Sequence, residues 1–398
     1  MFRHLLKLTW KRKSRNLMLS LEILLAFAIV FGVAAFAARY AQLYRMPIGF
    51  DASDVWSVAI QAGDNGKTRF DAGVYDNLRR GLAELPEVQR VAFAAFEPYA
   101  FSTYAGDMRR DAKAPQVHTE MIQADDALAG VLGLTVVEGR WFSPLDNGSA
   151  ARPVVINRRM ADAMFPGLQA VGQQFIDGEG GKPDVYRVVG VVDAFRAKGE
   201  LEPPVNFAFQ RFEAGKEDRD LRTIILKVKP GTGRDFEKRL NARLKLLRND
   251  WAYQITPLST LRKTMLHTRA TPLVLVSVIA AFMLVMVAFG LFGALWQNTT
   301  ARIPEIGLRR AIGASAAGIY RQIVLEQFML SSLAIALGLV LLVQLPLTGV
   351  LGESLNWTVF AAASLLSMAV IYLLSLVCAL YPGWRASRLS PTEALHYE

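Results

Sequence analysis

Apolar residues run along this chain in four uninterrupted stretches, and between the first stretch and the second they alternate with polar ones. Leu17 to Ala38 carries one charged side chain, Glu22, while Pro272 to Trp296, Phe328 to Thr348 and Trp357 to Tyr381 carry none. Each is long enough for a helix to cross a hydrocarbon core of about 30 Å, which takes ~20 residues. Backbone groups inside a bilayer find no water, so these stretches must be helices that satisfy their own hydrogen bonds, and four spans are expected.

The spacing of the spans predicts one anchor, one large domain and a three-helix block. The expected segments are a leader (1–16), a first span (17–40), an intervening domain (41–270) and a second span (272–297). A polar connection (298–322), a third span (323–348), a short loop (349–356), a fourth span (357–381) and a tail (382–398) complete the chain. The fold class is thus an α-helical membrane protein with four transmembrane helices, arranged one plus three, and a large α+β extracytoplasmic domain.

Within 41–270 the period changes. Val55 to Ile60 reads as a strand, Phe70, Val74, Leu78 and Leu82 recur on one helix face, and Val88 to Phe96 reads as a second strand. The pattern returns in Thr223 to Val228, the helix face Phe236, Leu240, Leu244 and Leu247, and Trp251 to Ile255. Residues 51–96 and 222–257 therefore form one split α/β lobe. Between them, 97–221 holds the strand-like runs Pro153 to Ile156, Gln173 to Ile176 and Tyr186 to Val192, set among turn-rich segments such as Asp177 to Pro183. A second, mostly β lobe inserted in the first is expected, because unstructured loops of that length are uncommon in compact folds.

Composition adds limits. With 52% hydrophobic and 20% charged residues, the chain can bury enough surface to fold and is not a disordered one. Its only cysteine, Cys378, excludes an intrachain disulfide and a thiolate metal site built from this chain alone. The net charge of +10 sits mainly at the span edges, since acids and bases nearly balance along 41–270. That excess is topogenic, and no nucleic-acid partner is expected.

Orientation follows from the same charges. Arg3, Lys7, Lys11, Arg12, Lys13 and Arg15 precede the first span, and Arg302, Arg309, Arg310 and Arg321 lie between the second and third. These segments belong in the cytoplasm, as does the tail with Arg385 and Arg388. The loop 349–356, with Glu353 and no base, belongs outside together with 41–270. A signal peptide cleaved near Ala35-Phe36-Ala37 is the rival reading of the first span, but the apolar run exceeds the 7 to 15 residues of such a segment. Glu22, roughly one and a half turns from the cytoplasmic end, is a candidate intramembrane polar site. It either meets a basic partner or the interface with a second copy, or it snorkels to the headgroups.

Catalytic patterns are thin. Gly66-Lys67-Thr68 resembles the end of a phosphate loop, but Gln61 stands where its first glycine belongs, so Gly63-Asp64-Asn65-Gly66 reads as a turn. His4, His118, His267 and His396 are scattered, and neither a His-Glu-x-x-His nor a Gly-x-Ser-x-Gly pattern occurs. Asp125-Asp126 is the one carboxylate pair worth weighing, and it fits dipole partners at a helix start better than catalysis. No catalytic, cofactor-binding or metal-binding residue is expected in this chain.

The densest signal is Thr299 to Leu330. Pro304 suits the first turn of a helix, Glu305 its positive end, Arg309 and Arg310 its negative end, and Gly313 its terminator. Ser315 can cap a second helix running through Ile319 and Ile323 into the third span. A plain surface helix obeying the positive-inside rule is the bland alternative.

These residues also carry a resemblance. Glu305-Ile306-Gly307, Arg309-Arg310-Ala311, Gly313-Ala314, Gln322 and Glu326 resemble the coupling segment of the MacB/FtsX-like permeases of ABC transporters, the mechanotransmission type. So does the tail, Tyr381-Pro382-Gly383-Trp384-Arg385-Ala386-Ser387-Arg388 followed by Ser390-Pro391-Thr392-Glu393-Ala394-Leu395. Val154 to Asn157, Met164-Phe165-Pro166, Val171-Gly172, Val188 to Val192, Leu132-Gly133-Leu134 and Gly139-Arg140 are similar to that family's inserted outer lobe.

The resemblance implies a multi-pass protein of the bacterial inner membrane with both termini cytoplasmic. It implies that Arg302, Pro304, Glu305, Ile306, Gly307, Arg309, Arg310 and Gly313 couple to a cytoplasmic pair of ABC ATPases that hold ATP and Mg. Members with a fused ATPase carry it ahead of the first span, so here a separate ATPase chain is expected. A second permease copy or paralogue, and a periplasmic adaptor or outer-membrane component, complete the implied partners. Export or extraction of a hydrophobic or peptide-like substrate is the function implied. A membrane-anchored receptor, scaffold or signalling relay is the alternative.

Overall fold

The computed structural model describes residues 13–62, 70–177, 184–215 and 220–388. The basic residues ahead of Lys13, the turn Gly63 to Gly66 with Lys67 and Thr68, the run Gly178 to Pro183 and the closing motif from Ser390 lie outside the described residues. Two compact units divide the chain, Leu43–Arg269 on one hand and Met1–Gln42 with Ala270–Glu398 on the other.

Helix α1 (Lys13–Arg45) leads into the unit Leu43–Arg269, whose first half holds β1 (Val55–Gln61), α2 (Ala72–Ala83), β2 (Val88–Ala94), β3 (Tyr104–Arg109) and β4 (Val117–Ala124). Then come α3 (Leu128–Leu132), β5 (Val136–Gly139), β6 (Arg152–Asn157), α4 (Arg158–Met164), β7 (Gln174–Asp177), β8 (Val185–Val192) and β9 (Phe207–Arg211). Strand β10 (Thr223–Val228), α5 (Asp235–Leu247) and β11 (Ala252–Pro257) close the unit before α6 (Leu258–Thr300).

Strands β11, β1, β10 and β2 are antiparallel neighbours in that order. Their alternation is strict. Trp56, Val58, Ile60, Val91, Phe93, Ile224, Leu226 and Val228 face one way, into a core completed by Tyr75, Leu78 and Leu82 of α2 and Phe236, Leu240 and Leu244 of α5. Val55, Ala92, Ala94 and Ile225 face the other way, into a second core. A period of two places alternate side chains on opposite faces, so both faces of this sheet are buried. Helix α2 starts where the Asp71 side chain accepts the Val74 amide at 2.9 Å.

The inserted segment has a core of its own, and one sheet passes through both lobes. A single register pair, Ala94 with Ala124, joins β2 to β4. From there β4, β3, β7, β8, β6 and β9 follow one another, and β9 returns to pair with β4 in parallel, so the six strands close on themselves. Val154, Ile156, Phe175, Tyr186, Val188 and Ala208 share a third core with Met160 and Met164 of α4. The other face of β6 and β9 sends Val155, Phe207 and Phe209 into the second core beside Ala92 and Ala94. Shared side chains, more than the one backbone pair, join the two lobes.

Arg196, buried in this unit, donates to the carbonyls of Leu43 and Met46 at 2.9 and 3.2 Å and to those of Glu200 and Glu202 at 2.5 Å. Arg262 donates to Glu200 at 2.5 Å, and Arg269 pairs with Glu202. The chain leaving α1 and the first turns of α6 are therefore held to one short loop, residues 196–202.

The other unit comprises most of α1 and α6, then α7 (Ile303–Ala311), α8 (Ala316–Leu342), α9 (Gln344–Thr348) and α10 (Trp357–Arg388). Among the described residues four helices, α1, α6, the α8–α9 stretch and α10, have the length and hydropathy to cross a membrane. Their common core holds Ile23, Phe27, Leu291, Ala334, Ile335, Ile371 and Cys378. The helices run past the expected span limits, α1 to Arg45 and α10 to Arg388. Helix α6 starts at Leu258, well ahead of Pro272, and the third run breaks after Leu342 into the short α9. Helix α8 carries Gln327 and Ser331 on its buried side, where Ser331 meets Ser375 of α10 at 2.8 Å. Hydrogen bonds of this kind join spans that dispersion alone would hold less specifically.

Candidate functional site

Helix α7 is nine residues long, with Pro304 in its first turn, Glu305 at its amino end and Arg309 and Arg310 in its last turn. Past it the chain turns at Gly313, whose φ of +100° suits a residue without a Cβ. The amides of Gly313 and Ala314 bond back to Arg310 and Arg309 at 3.0 Å, closing the helix end. Helix α8 begins directly afterwards, with the Ser315 side chain accepting the Gly318 amide at 3.1 Å.

Five side chains lock α7 to the first turns of α8 in a closed ring. Arg302 donates to Glu326 at 2.6 Å and to Glu305 at 3.4 Å. Glu305 accepts from Arg309 at 2.7 Å, and Arg309 donates to Gln322 at 2.9 Å. Gln322 in turn donates to Glu326 at 2.9 Å, which completes the circuit. Burial pulls the Arg302 guanidinium pKa down, but the hydrogen bond and charge of Glu326, with Glu305, outweigh it and leave the pKa above its ordinary value. A sixth contact, Arg310 to the Ser387 carbonyl at 2.6 Å, ties α7 to the end of α10.

The two sides of α7 differ. Ile303, Ile306 and Gly307 are buried, and Ile306 packs with Ile319, Ile323 and Ala386. Pro304, Leu308, Ala311 and Ile312 are exposed, Leu308 by 57% and Ile312 by 78%. Gly307 is buried, which leaves Leu308 and Ile312 as the outward apolar pair. Of the predicted residues, the ring takes Arg302, Glu305 and Arg309, and Arg310 makes the tie to α10. Pro304 and Gly313 bound the helix, while Ile306 and Gly307 face inward.

Glu326 and Gln322 are ring members that local spacing did not single out. The available signal was a carboxylate on an otherwise apolar helix, which calls for a cation partner. Glu22 lies elsewhere. Its carboxylate packs over Gly290 of α6, where any Cβ would collide with Oε1. Among the described residues no ion pair is made to it.

In the other unit, Asp125 and Asp126 stand at the start of α3, where Asp125 Oδ1 accepts the Ala127 amide at 3.1 Å, and both are also ion-pair members. Asp125 meets Arg79 at 2.8 Å, and Asp126 meets Arg211 at 2.8 Å. Burial raises the Asp125 pKa, against the lowering effect of Arg79. Among the described residues no group of three or more His, Cys, Asp or Glu is placed to hold a metal ion.

Comparison with known proteins agrees with this layout. Residues 23–242 match the model of the MacB-like periplasmic core domain, and residues 277–391 match that of the FtsX-like permease C-terminal domain. The macrolide export ATP-binding/permease protein MacB of Bdellovibrio bacteriovorus is 27% identical over 71% of this chain. Its counterpart in Agrobacterium fabrum is 25% identical over 97%. The chain spans 44% and 59% of those two relatives' lengths. The periplasmic region of MacB from Actinobacillus actinomycetemcomitans aligns with 56% of this chain and 97% of its own, at 16% identity and a TM-score of 0.38. With the core-domain model covering more than half of the sequence and the permease model the three-helix block, the chain belongs to the MacB/FtsX-like superfamily of ABC transporter permeases.

Proposed function

We propose that this chain is the membrane-spanning permease of an ABC transporter and that α7 receives the motion of a cytoplasmic ATPase pair, which binds ATP and Mg. The observation that carries the reading is the two-sidedness of α7. Its inner side is fixed to α8 and α10 by the Arg302–Glu326–Gln322–Arg309–Glu305 ring and by Arg310, and its outer side presents Leu308 and Ile312. A push on a helix held this way moves the spans with it, because the element is short, capped and bonded at both flanks. Exposed apolar residues rimmed by cations suit a groove on a partner protein.

In this reading the segment 298–322 and both termini are cytoplasmic, 41–270 and 349–356 lie outside the bacterial inner membrane, and two permease copies work together. The basic residues beside the spans support that orientation. Movement reaches the outer unit through α1 and α6, whose continuations are bonded to residues 196–202. Spans two to four carry no charge in their apolar runs, which suits export or extraction of a hydrophobic or peptide-like cargo by the outer unit better than a polar path between the helices. Cysteine labelling in a Cys378→Ser background tests the orientation. Ser102→Cys should react with an impermeant reagent in spheroplasts and Ser315→Cys should not, and the reverse pattern would refute the reading.

A further inference from the structure

Where α6 and α10 leave their apolar runs, four aromatic rings form one continuous stack. Trp296 lies on Tyr381 with centroids 5.8 Å apart and planes within 8°. Phe292 stacks on both at 6.2 Å, and Trp384 extends the stack from Tyr381 at 6.2 Å. Two guanidinium groups rest on this platform, Arg385 at 4.7 Å from the Trp296 centroid and Arg388 at 4.7 Å from that of Trp384. Tyr381, Trp384, Arg385 and Arg388 are all exposed. Next to Arg385 a small cavity of about 40 Å³ opens between Trp296, Thr299, Thr300 and Ile303.

Charge compensation separates these two arginines from those of the α7 ring. Arg302 and Arg309 each face a glutamate, whereas among the described residues neither Arg385 nor Arg388 has a carboxylate partner. The aromatic faces hold both guanidinium planes without using the N–H groups at their edges. Those edges are a fork for a doubly bonded oxyanion. Depth then selects the oxyanion. Trp296 and Tyr381 are the last residues of two apolar runs, the level at which indole and phenol rings sit among lipid headgroups.

We propose that Arg385 and Arg388, laid on the Phe292–Trp296–Tyr381–Trp384 platform, bind the phosphodiester headgroup of an anionic phospholipid. The bound headgroup touches α7 at its root, since the cavity is bounded by Ile303, and Ser387 between the two arginines accepts from Arg310. The site rests on reading α6 and α10 as spans, and it does not depend on any ATPase.

Native mass spectrometry of the detergent-purified full chain tests it, with phosphatidylglycerol and phosphatidylcholine of matched acyl chains titrated separately. Each of the two arginines near an anionic headgroup contributes about fivefold, so the first phosphatidylglycerol should bind ~25-fold more tightly than phosphatidylcholine. Arg385→Gln with Arg388→Gln should bring the two lipids to within about threefold of each other, most of that preference being removed. Arg321→Gln, an exposed base on the connection between the second and third spans, should leave the preference intact. Equal loss in the Arg321 variant would reduce the effect to diffuse charge and overturn the site. Retention of the preference in the double variant would overturn it as well. Inorganic phosphate in excess should not displace the lipid; if it does, the site is one for a free oxyanion and the lipid assignment fails.

Discussion

Removing Arg302 should release α7 from the spans while leaving them folded. Its guanidinium is the one ring member that reaches both Glu326 and Glu305, at 2.6 and 3.4 Å, and its side chain is only 15% exposed. A charge-assisted hydrogen bond contributes ~1.5–3 kcal/mol net. In Arg302→Met, Glu326 keeps the bond from Gln322, so the loss falls near the middle of that range, about 2 kcal/mol. If α7 opens locally before exchanging its amides, that is about a 30-fold rise in exchange rate over residues 303–312. Glu305→Gln offers the contrast. Glu305 and Arg309 are each 39% exposed and four residues apart on one helix, a surface pair worth ~0.3–0.5 kcal/mol, so exchange should rise about twofold. Hydrogen exchange with mass spectrometry on the full chain in nanodiscs measures both. An Arg302 variant within about twofold of the unmodified chain, or a Glu305 variant that exchanges as fast, would show that Arg302 does not hold α7 to the spans.

Two further outcomes concern the unit Leu43–Arg269. Gly49 has φ +85°, and a Cβ there would strike the Ala194 carbonyl, a backbone group that cannot swing aside. Gly49→Ala should therefore lose about 3 kcal/mol, or ~6–12 °C in Tm, by calorimetry of the full chain, and a shift under about 2 °C would contradict the geometry. The Arg140 guanidinium, at 2.6 and 2.7 Å, holds the buried Asp146 carboxyl below the usual carboxylate range. A depressed folded pKa contributes stability above the unfolded value of about 3.9, and that stability is lost as pH falls through the folded value. Asp146→Asn should thus cost about 2 kcal/mol between pH 5 and 7, with the gap closing below roughly pH 4. A gap independent of pH in urea titrations would show that the charge plays no part.

The fold was legible where period and burial coincide. Trp56, Val58 and Ile60 alternate because α2 and α5 cover one face of β1, and Phe236, Leu240 and Leu244 recur because that face receives them. Four apolar runs announce spans for the same reason, a uniform environment along the whole element. The closed ring of β4, β3, β7, β8, β6 and β9 was not legible. Gly106 and Asp107 interrupt the alternation of β3, and β9, Phe-Ala-Phe-Gln-Arg, is buried on both sides and so has no alternation to read. The parallel return of β9 to β4 is a long-range pairing that no local pattern encodes. Helix α6 ran past its apolar stretch because backbone hydrogen bonding continues through the polar turns before Pro272. In α7, the caps and the Glu305–Arg309 pair follow from spacing. Glu326, distant in sequence from Arg302, became a partner only when α7 folded back on α8.

In the proposed function α7 docks an ABC ATPase through its outward face. Burying the exposed fractions of Leu308 and Ile312, 57% and 78%, at ~1.5–3 kcal/mol per whole side chain, gives about 3 kcal/mol and two orders of magnitude in Kd. Affinity purification of the tagged full chain from the membranes of its native host, with bound proteins identified by mass spectrometry, reads this directly. An ABC ATPase should accompany the unmodified chain and be lost from Leu308→Asp with Ile312→Asp, while both chains insert and elute alike. An ATPase retained by the double variant at the original yield would contradict this docking.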